Sequence, residues 1–116
     1  SSPVEFAESM GRLYGKAGAT QVAVDGARRR LLKFLEEQCG VPREILRAAP
    51  EAVVGAVEER FGGEWGRLGV HLTQAAEAER GSVTLASTLE LVKALDRDQR
   101  ELAERIRLGM TLKGAR

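Results

Sequence analysis

The stretch Ala19–Gln38, ATQVAVDGARRRLLKFLEEQ, decides the fold of this chain. Its apolar residues recur at a spacing of three and four, which is typical of a helix with one buried face. The segments before and after this stretch in the sequence also carry apolar stripes, so they can cover its buried face. The buried face is predicted to consist of Val24, Ala27, Leu31, Phe34, Leu35 and Gln38.

A first helix is predicted to precede this stretch, beginning at Ser2. Ser2 can cap it, Pro3 suits the first helical position, and Glu5 can bond back to the cap. Gly15 and Gly18 are predicted to end this helix, with Gly18 in a left-handed conformation.

Four further helical segments are predicted after the central helix, separated by glycine and proline. The final helix spans some 27 residues, or roughly 40 Å, and its outer side pairs charges at a spacing of four, which is typical of a solvated face. These pairs are Asp96 with Arg100, Arg97 with Glu101, and Glu101 with Arg105. The four segments are a short helix with Pro42 at its first position, Glu51–Arg60 after Pro50, a helix from Trp65 to near Gly81, and a helix from a Ser82 cap to about Leu108.

The fold class that follows is all-α. Alternating strand patterns are absent, and most linkers contain glycine or proline within a few residues. We expect a single-domain bundle of five or six helices over residues 1–108, with residues 109–116 as a frayed C-terminal tail.

Composition sets limits on function. The chain has 116 residues, of which 43% are apolar and 30% charged, with a net charge of +1. That length gives room for one core, and the near-neutral balance favours neither nucleic acid nor acidic ligands. The single cysteine, Cys39, excludes an intrachain disulfide and fits a reducing compartment. It is expected to act as a small buried apolar residue.

No secretory signal is recognisable, and no stretch approaches the roughly 20 apolar residues of a membrane span. The chain begins with Ser1 and not with methionine. We therefore expect it to be a fragment of a longer protein.

The residues give no catalytic, cofactor or metal motif. His71 is the only histidine and has no metal-binding companion at close spacing, so a structural or surface role is expected. The segment Gly62–Gly66 lacks the Lys-Ser/Thr ending of a phosphate-binding loop. The glutamates are interpreted as solvated helix faces. We therefore do not expect an enzyme.

The basic cluster of Arg28, Arg29, Arg30 and Lys33 is the one candidate interaction surface. Three consecutive residues span about 200° of a helix, so the arginines cannot form one flat patch. At least one must extend along a neighbouring helix or pair with a carboxylate. The cluster is interpreted first as a solvated face, with contact to protein or anionic lipid, or to nucleic acid, as the alternatives.

Three segments resemble a known family. They are EFAESMGRLYGKAGA at residues 5–19, the break Gly40-Val41-Pro42, and LELVKAL at residues 89–95. The chain resembles the C-terminal cytosolic region of a bacterial membrane-anchored family of unknown function. Its genes tend to lie beside those of MoxR-type AAA ATPases and their membrane partners. The resemblance implies a membrane span and an extracytoplasmic domain upstream, and it supplies no site residues.

The expected function is therefore a non-enzymatic interaction or accessory domain. The resemblance places it on the cytoplasmic face of the bacterial inner membrane, with protein partners among the components of the MoxR-type ATPase system. It also implies a stretch of about 20 apolar residues shortly before Ser1 in the parent gene. The alternative is a small free-standing helical regulator that binds nucleic acid.

Overall fold

The computed structural model describes residues 2–14, 17–81 and 84–109. Within these residues there is no strand, which confirms the all-α prediction. The six helices are α1 (Pro3–Tyr14), α2 (Ala17–Cys39), α3 (Arg43–Leu46), α4 (Pro50–Phe61), α5 (Gly66–Ala78) and α6 (Leu85–Arg107).

The start of α1 is fixed by the predicted reciprocal cap. The Glu5 backbone N–H donates to Ser2 Oγ at 3.1 Å, and the Ser2 backbone N–H donates to Glu5 Oε2 at 3.4 Å. The predicted end of this helix is wrong at Gly18, because α2 already begins at Ala17 and Gly18 is part of it. Gly15 lies outside the described residues.

The central helix α2 ends where a positive-φ glycine allows the chain to reverse. Gly40 has a φ of 71°, a left-handed conformation common just after a helix end. The Val41 N–H donates to the Leu35 carbonyl at 3.0 Å and so folds the chain back over the last turn of α2. The turn returns Val41 to the core, where it is buried. Gln38 is exposed, so its predicted place on the buried face is wrong. Val41 fills the core at that end of the helix instead.

The rest of the predicted α2 face is largely confirmed. Leu31 and Leu35 are fully buried, while Phe34 is half-buried at the edge of the core. The buried members of this face are Val24, Ala27, Leu31 and Leu35.

The predicted starts of α3 and α6 differ from the structure by one and two positions. Pro42 is the residue before α3 and not its first. The cap of α6 is Thr84, whose Oγ1 accepts from the Ser87 N–H at 3.0 Å, so the predicted cap at Ser82 is wrong. Ser82 itself lies outside the described residues, as do residues 110–116 of the predicted tail.

The outer face of α6 carries two of the three predicted ion pairs. Arg100 lies 2.9 Å from Asp96, and Arg105 lies 3.9 Å from Glu101. Within the described residues Arg97 forms no salt bridge, so its predicted pairing with Glu101 is wrong.

The helices are arranged around the pair α2 and α6, which make the most extensive contact in the molecule. Helix α1 packs on both of them, and α5 packs on α6, α4 and α2. Helix α4 packs mainly on α5 and α3 and therefore forms the outside of the bundle. The molecule measures 48 × 27 × 21 Å.

Helices α4 and α5 cross closely at Gly69. A Cβ atom on Gly69 would lie 2.9 Å from Val54 Cγ2, which is closer than van der Waals contact allows. Gly26, a glycine in the middle of α2, marks no such crossing. A Cβ there would meet only the end of the flexible Arg30 side chain, at 3.4 Å.

Candidate functional site

Two of the four residues of the predicted basic cluster form ion pairs with carboxylates. Arg29 Nε lies 2.7 Å from Asp25 Oδ2 on the same helix, and Arg28 Nη1 lies 4.0 Å from Glu79 Oε1 just beyond α5. Arg30 and Lys33 are exposed and form no salt bridge with a described residue. The structure therefore separates the four side chains, as the helical arc predicts. Their role as an interaction surface stays a prediction.

His71 on α5 and Asp98 on α6 form a largely buried polar contact between two helices. His71 Nδ1 lies 2.6 Å from Asp98 Oδ2, and the two side chains are 19% and 10% exposed. Each side of the pair opens into a cleft of about 710 Å³ that His71 and Arg97 both line. This contact ties α5 to α6.

Burial dominates the electrostatics of Asp98. Removal from water disfavours the charged carboxylate and raises the pKa of Asp98, and the negative charge of Glu101 acts in the same direction. The hydrogen bond and charge of His71 oppose this rise, as does the charge of Arg97. His71 is therefore the main group that opposes the rise in the pKa of Asp98.

Cys39 has the unreactive surroundings expected of a packing residue. It is half-buried against the core, and burial raises the pKa of its thiol to about 11, against the opposing charge of Arg60. Arg60 also donates to the Cys39 carbonyl at 3.0 Å and to the Gly40 carbonyl at 2.9 Å. The thiolate, which is the reactive form, is thus scarce at neutral pH.

The part of the chain that the structure describes contains no group of three or more His, Cys, Asp or Glu side chains that could hold a metal ion. The His71–Asp98 contact brings together two side chains of these types.

The outer faces of α4 and α5 form an open groove of about 590 Å³. Val54 lies on one wall and Val70 on the other, and Val70 is 53% exposed. The groove has little polar surface. Its lining consists of Pro50, Glu51, Val54, Gly55 and Glu58 from α4, and Gly66, Gly69, Val70, Thr73, Gln74 and Glu77 from α5.

The charges along this α4–α5 groove are all of one sign. Three glutamates line it, Glu51, Glu58 and Glu77, and neither lysine nor arginine does. The described residues provide no salt-bridge partner for any of the three. Glu58 Oε2 accepts the Trp65 backbone N–H at 2.9 Å, which uses one of its oxygens and leaves its charge in place.

The sequence contains signals for both features, although neither was predicted from it. Asp98 lies at the helical spacing of Leu91 and Leu95, so the pattern indicates an acidic residue on the buried face at this position. Val54 and Val70 are the apolar residues at the margins of their helices' buried stripes. The pairing of these two valines across one groove requires the tertiary arrangement.

Comparisons of the chain with known protein families, with curated proteins and with solved structures find no match. Among the described helices, none combines the length and the apolar character needed to cross a membrane.

Proposed function

We propose that this domain acts by binding a segment of another protein and that it carries out no chemistry of its own. The observation that carries the proposal is the α4–α5 groove. It is a concave, largely apolar surface on the outside of the bundle, flanked by charge. Exposed apolar surfaces with polar rims mark interaction sites.

The shape of the groove suits a helical or extended segment. Its two walls are neighbouring helices, and Gly55 and Gly66 line it with open space where a side chain would stand. A helix laid into an apolar groove is a recurring mode of peptide recognition. The exposed Val70 would be covered by such a segment.

The family resemblance extends this proposal to the parent protein. We propose that the domain is the cytosolic part of a membrane-anchored bacterial protein and that components of the MoxR-type ATPase system are its partners. The parent gene would then encode about 20 consecutive apolar residues upstream of this segment. Reading that gene tests the placement independently of the groove.

Site-specific photocrosslinking tests the binding function. We expect a photoreactive residue in place of Val70, in the full-length protein in its native host, to cross-link a partner protein. The matched control is Val22, a valine on α2 that is 54% exposed and outside the groove. The cross-link at position 70 should exceed that at position 22 at least fivefold.

A groove-filling variant supplies the second control. A Cβ on Gly55 meets nothing within 4 Å, so Gly55→Leu should fold normally while occupying the groove. It should abolish the cross-link from position 70, whereas Ala52→Leu, at an exposed position of α4 outside the groove, should leave it intact. Equal cross-linking at positions 70 and 22 would refute the proposal, and a cross-link to nucleic acid would favour the regulator.

A further inference from the structure

We infer that the segment bound by the α4–α5 groove is an amphipathic helix that carries positive charge on both flanks of a narrow apolar stripe. This inference rests on the proposed function and specifies its partner.

The charge of the groove determines the charge of the partner. Glu51, Glu58 and Glu77 line it without a basic neighbour in the lining, although the chain as a whole has a net charge of +1. Glu51 and Glu77 are exposed. An acidic segment would meet like charge on both walls, whereas lysine or arginine side chains would find carboxylates to pair with.

The positions of these glutamates define the partner's pattern. Helices α4 and α5 form a hairpin joined by a short turn, so Glu51 near the start of α4 lies at the same end as Glu77 near the end of α5. Glu58 lies toward the turn. Glu51 and Glu58 belong to the α4 wall and Glu77 to the α5 wall, so the partner needs basic groups on both flanks of its apolar stripe and toward both of its ends.

The length and floor of the groove define the partner's apolar stripe. The lining spans nine residues of α4 and twelve of α5, or about 13–18 Å at 1.5 Å per residue. This accommodates roughly three turns of helix. Gly55 and Gly66 allow close backbone approach, and Val54 and Val70 supply apolar contact. Small or medium apolar residues at a spacing of three and four fit this surface.

A charge series of designed peptides tests the inference. Three 16-residue helical peptides would share one alanine–leucine stripe, with flanking lysines, glutamines or glutamates giving about +4, 0 and −4. Affinity would be measured by fluorescence anisotropy, and the binding site by NMR shifts of the ¹⁵N-labelled chain. We expect the +4 peptide to bind at least tenfold more tightly than the −4 peptide and to shift resonances of α4 and α5.

Charge reversal in the groove supplies the internal control. The double variant Glu51→Lys/Glu77→Lys should weaken the +4 peptide at least tenfold and strengthen the −4 peptide. Glu37→Lys, on the exposed side of α2 outside the groove, should change either affinity less than twofold. Equal affinities across the series, failure of the +4 peptide to bind, or shifts confined to other helices would overturn the inference.

Three further outcomes separate this inference from the proposed function. A concentration-dependent dimer that Val70→Asp dissociates would show that a second copy occupies the groove, which overturns the basic-helix partner. A position-70 cross-link to an acidic or neutral segment would overturn the charge inference and leave the binding function standing. Binding of the +4 peptide together with no cross-link at position 70 would refute the proposed function alone.

Discussion

Asp98 is a charged residue in the core of the bundle. It follows the apolar spacing of α6 into the interior, where it is 7% exposed, and it contacts the ring of His71. A buried charged group that loses its hydrogen-bond partner costs more than the bond itself contributes, because its desolvation is then uncompensated. Loss of the His71–Asp98 contact should therefore cost more free energy than the hydrogen bond itself contributes.

Replacement of His71 by alanine should destabilise the fold in a pH-dependent way. We expect a loss of about 1–3 kcal/mol at pH 7, from a buried carboxylate left without its partner. The substitution removes the group that lowers the pKa of Asp98, so this pKa rises further. The folded carboxyl then holds its proton at pH values where the unfolded chain has lost it. Stability falls as pH rises through that window, so the loss should be smaller at pH 4 than at pH 7.

Urea unfolding between pH 4 and pH 7 measures this difference. The control is His71→Ala in an Asp98→Asn background, where no carboxyl titrates and the cost of losing His71 should not grow with pH. A cost in the wild-type background that is the same at pH 4 and pH 7 would show that the Asp98 carboxyl is not the cause.

The sequence predicts individual buried residues well where a helix face continues unbroken and less well at its end. Leu31 and Leu35 follow from spacing alone. Gln38 occupies the same spacing but is exposed, because the turn after Gly40 returns Val41 to the core. His71 was assigned a structural or surface role, but its partner is 27 residues away, on another helix, and only the fold brings them together.

At the scale of the element, Gly55 of α4 and Gly69 of α5 are both glycines within a helix, but their surroundings differ. Gly55 faces open space, whereas a Cβ on Gly69 would meet Val54 Cγ2 at 2.9 Å. Gly55→Ala should stabilise the fold by about 0.5–1 kcal/mol, the gain of alanine over glycine in a helix. Gly69→Ala should be less stable than Gly55→Ala by about 1–3 kcal/mol, because overpacking opposes the same gain.

A double-mutant cycle checks the cause. Val54→Ala removes the methyl groups that a Cβ on Gly69 would meet, so Gly69→Ala should become favourable in that background. The measurement is chemical denaturation of the four proteins. The same effect of Gly69→Ala in both backgrounds would contradict the close crossing.

A helix end is predictable from the sequence when the segment contains one candidate capping residue and no second one nearby. Ser2 and Glu5 form their reciprocal cap as predicted, and Gly40 ends α2. Ser82 and Thr84 are both hydroxyl residues before the same apolar stripe, and α6 begins after Thr84. Local chemistry alone does not choose between two caps two positions apart.

For the whole molecule, the arrangement of helices is what the sequence leaves open. The apolar stripes predict an all-α bundle with a long last helix, and the structure confirms it. They do not specify which helices become neighbours. The α4–α5 groove exists because α4 rests on α5 and α3 at the outside of the bundle, and this placement depends on the assembly of all six helices.

The outer position of α4 has a consequence for how the protein opens. Helices α2 and α6 pack along each other and share α1 and α5 as neighbours, whereas α4 is held mainly by α5 and α3. Segments with fewer partners open in partial unfolding events that leave the rest folded. We expect amide hydrogen exchange to be slowest around Leu31 and Leu95 and faster in α4.

Native-state hydrogen exchange followed by NMR measures this hierarchy. Uniform protection across α2, α4 and α6 would show that the bundle opens only as one unit. If α4 does exchange first, a segment seated in the groove should slow exchange in α4 and leave α2 and α6 nearly unchanged. The surface proposed for recognition would then also be the part of the molecule that recognition makes rigid.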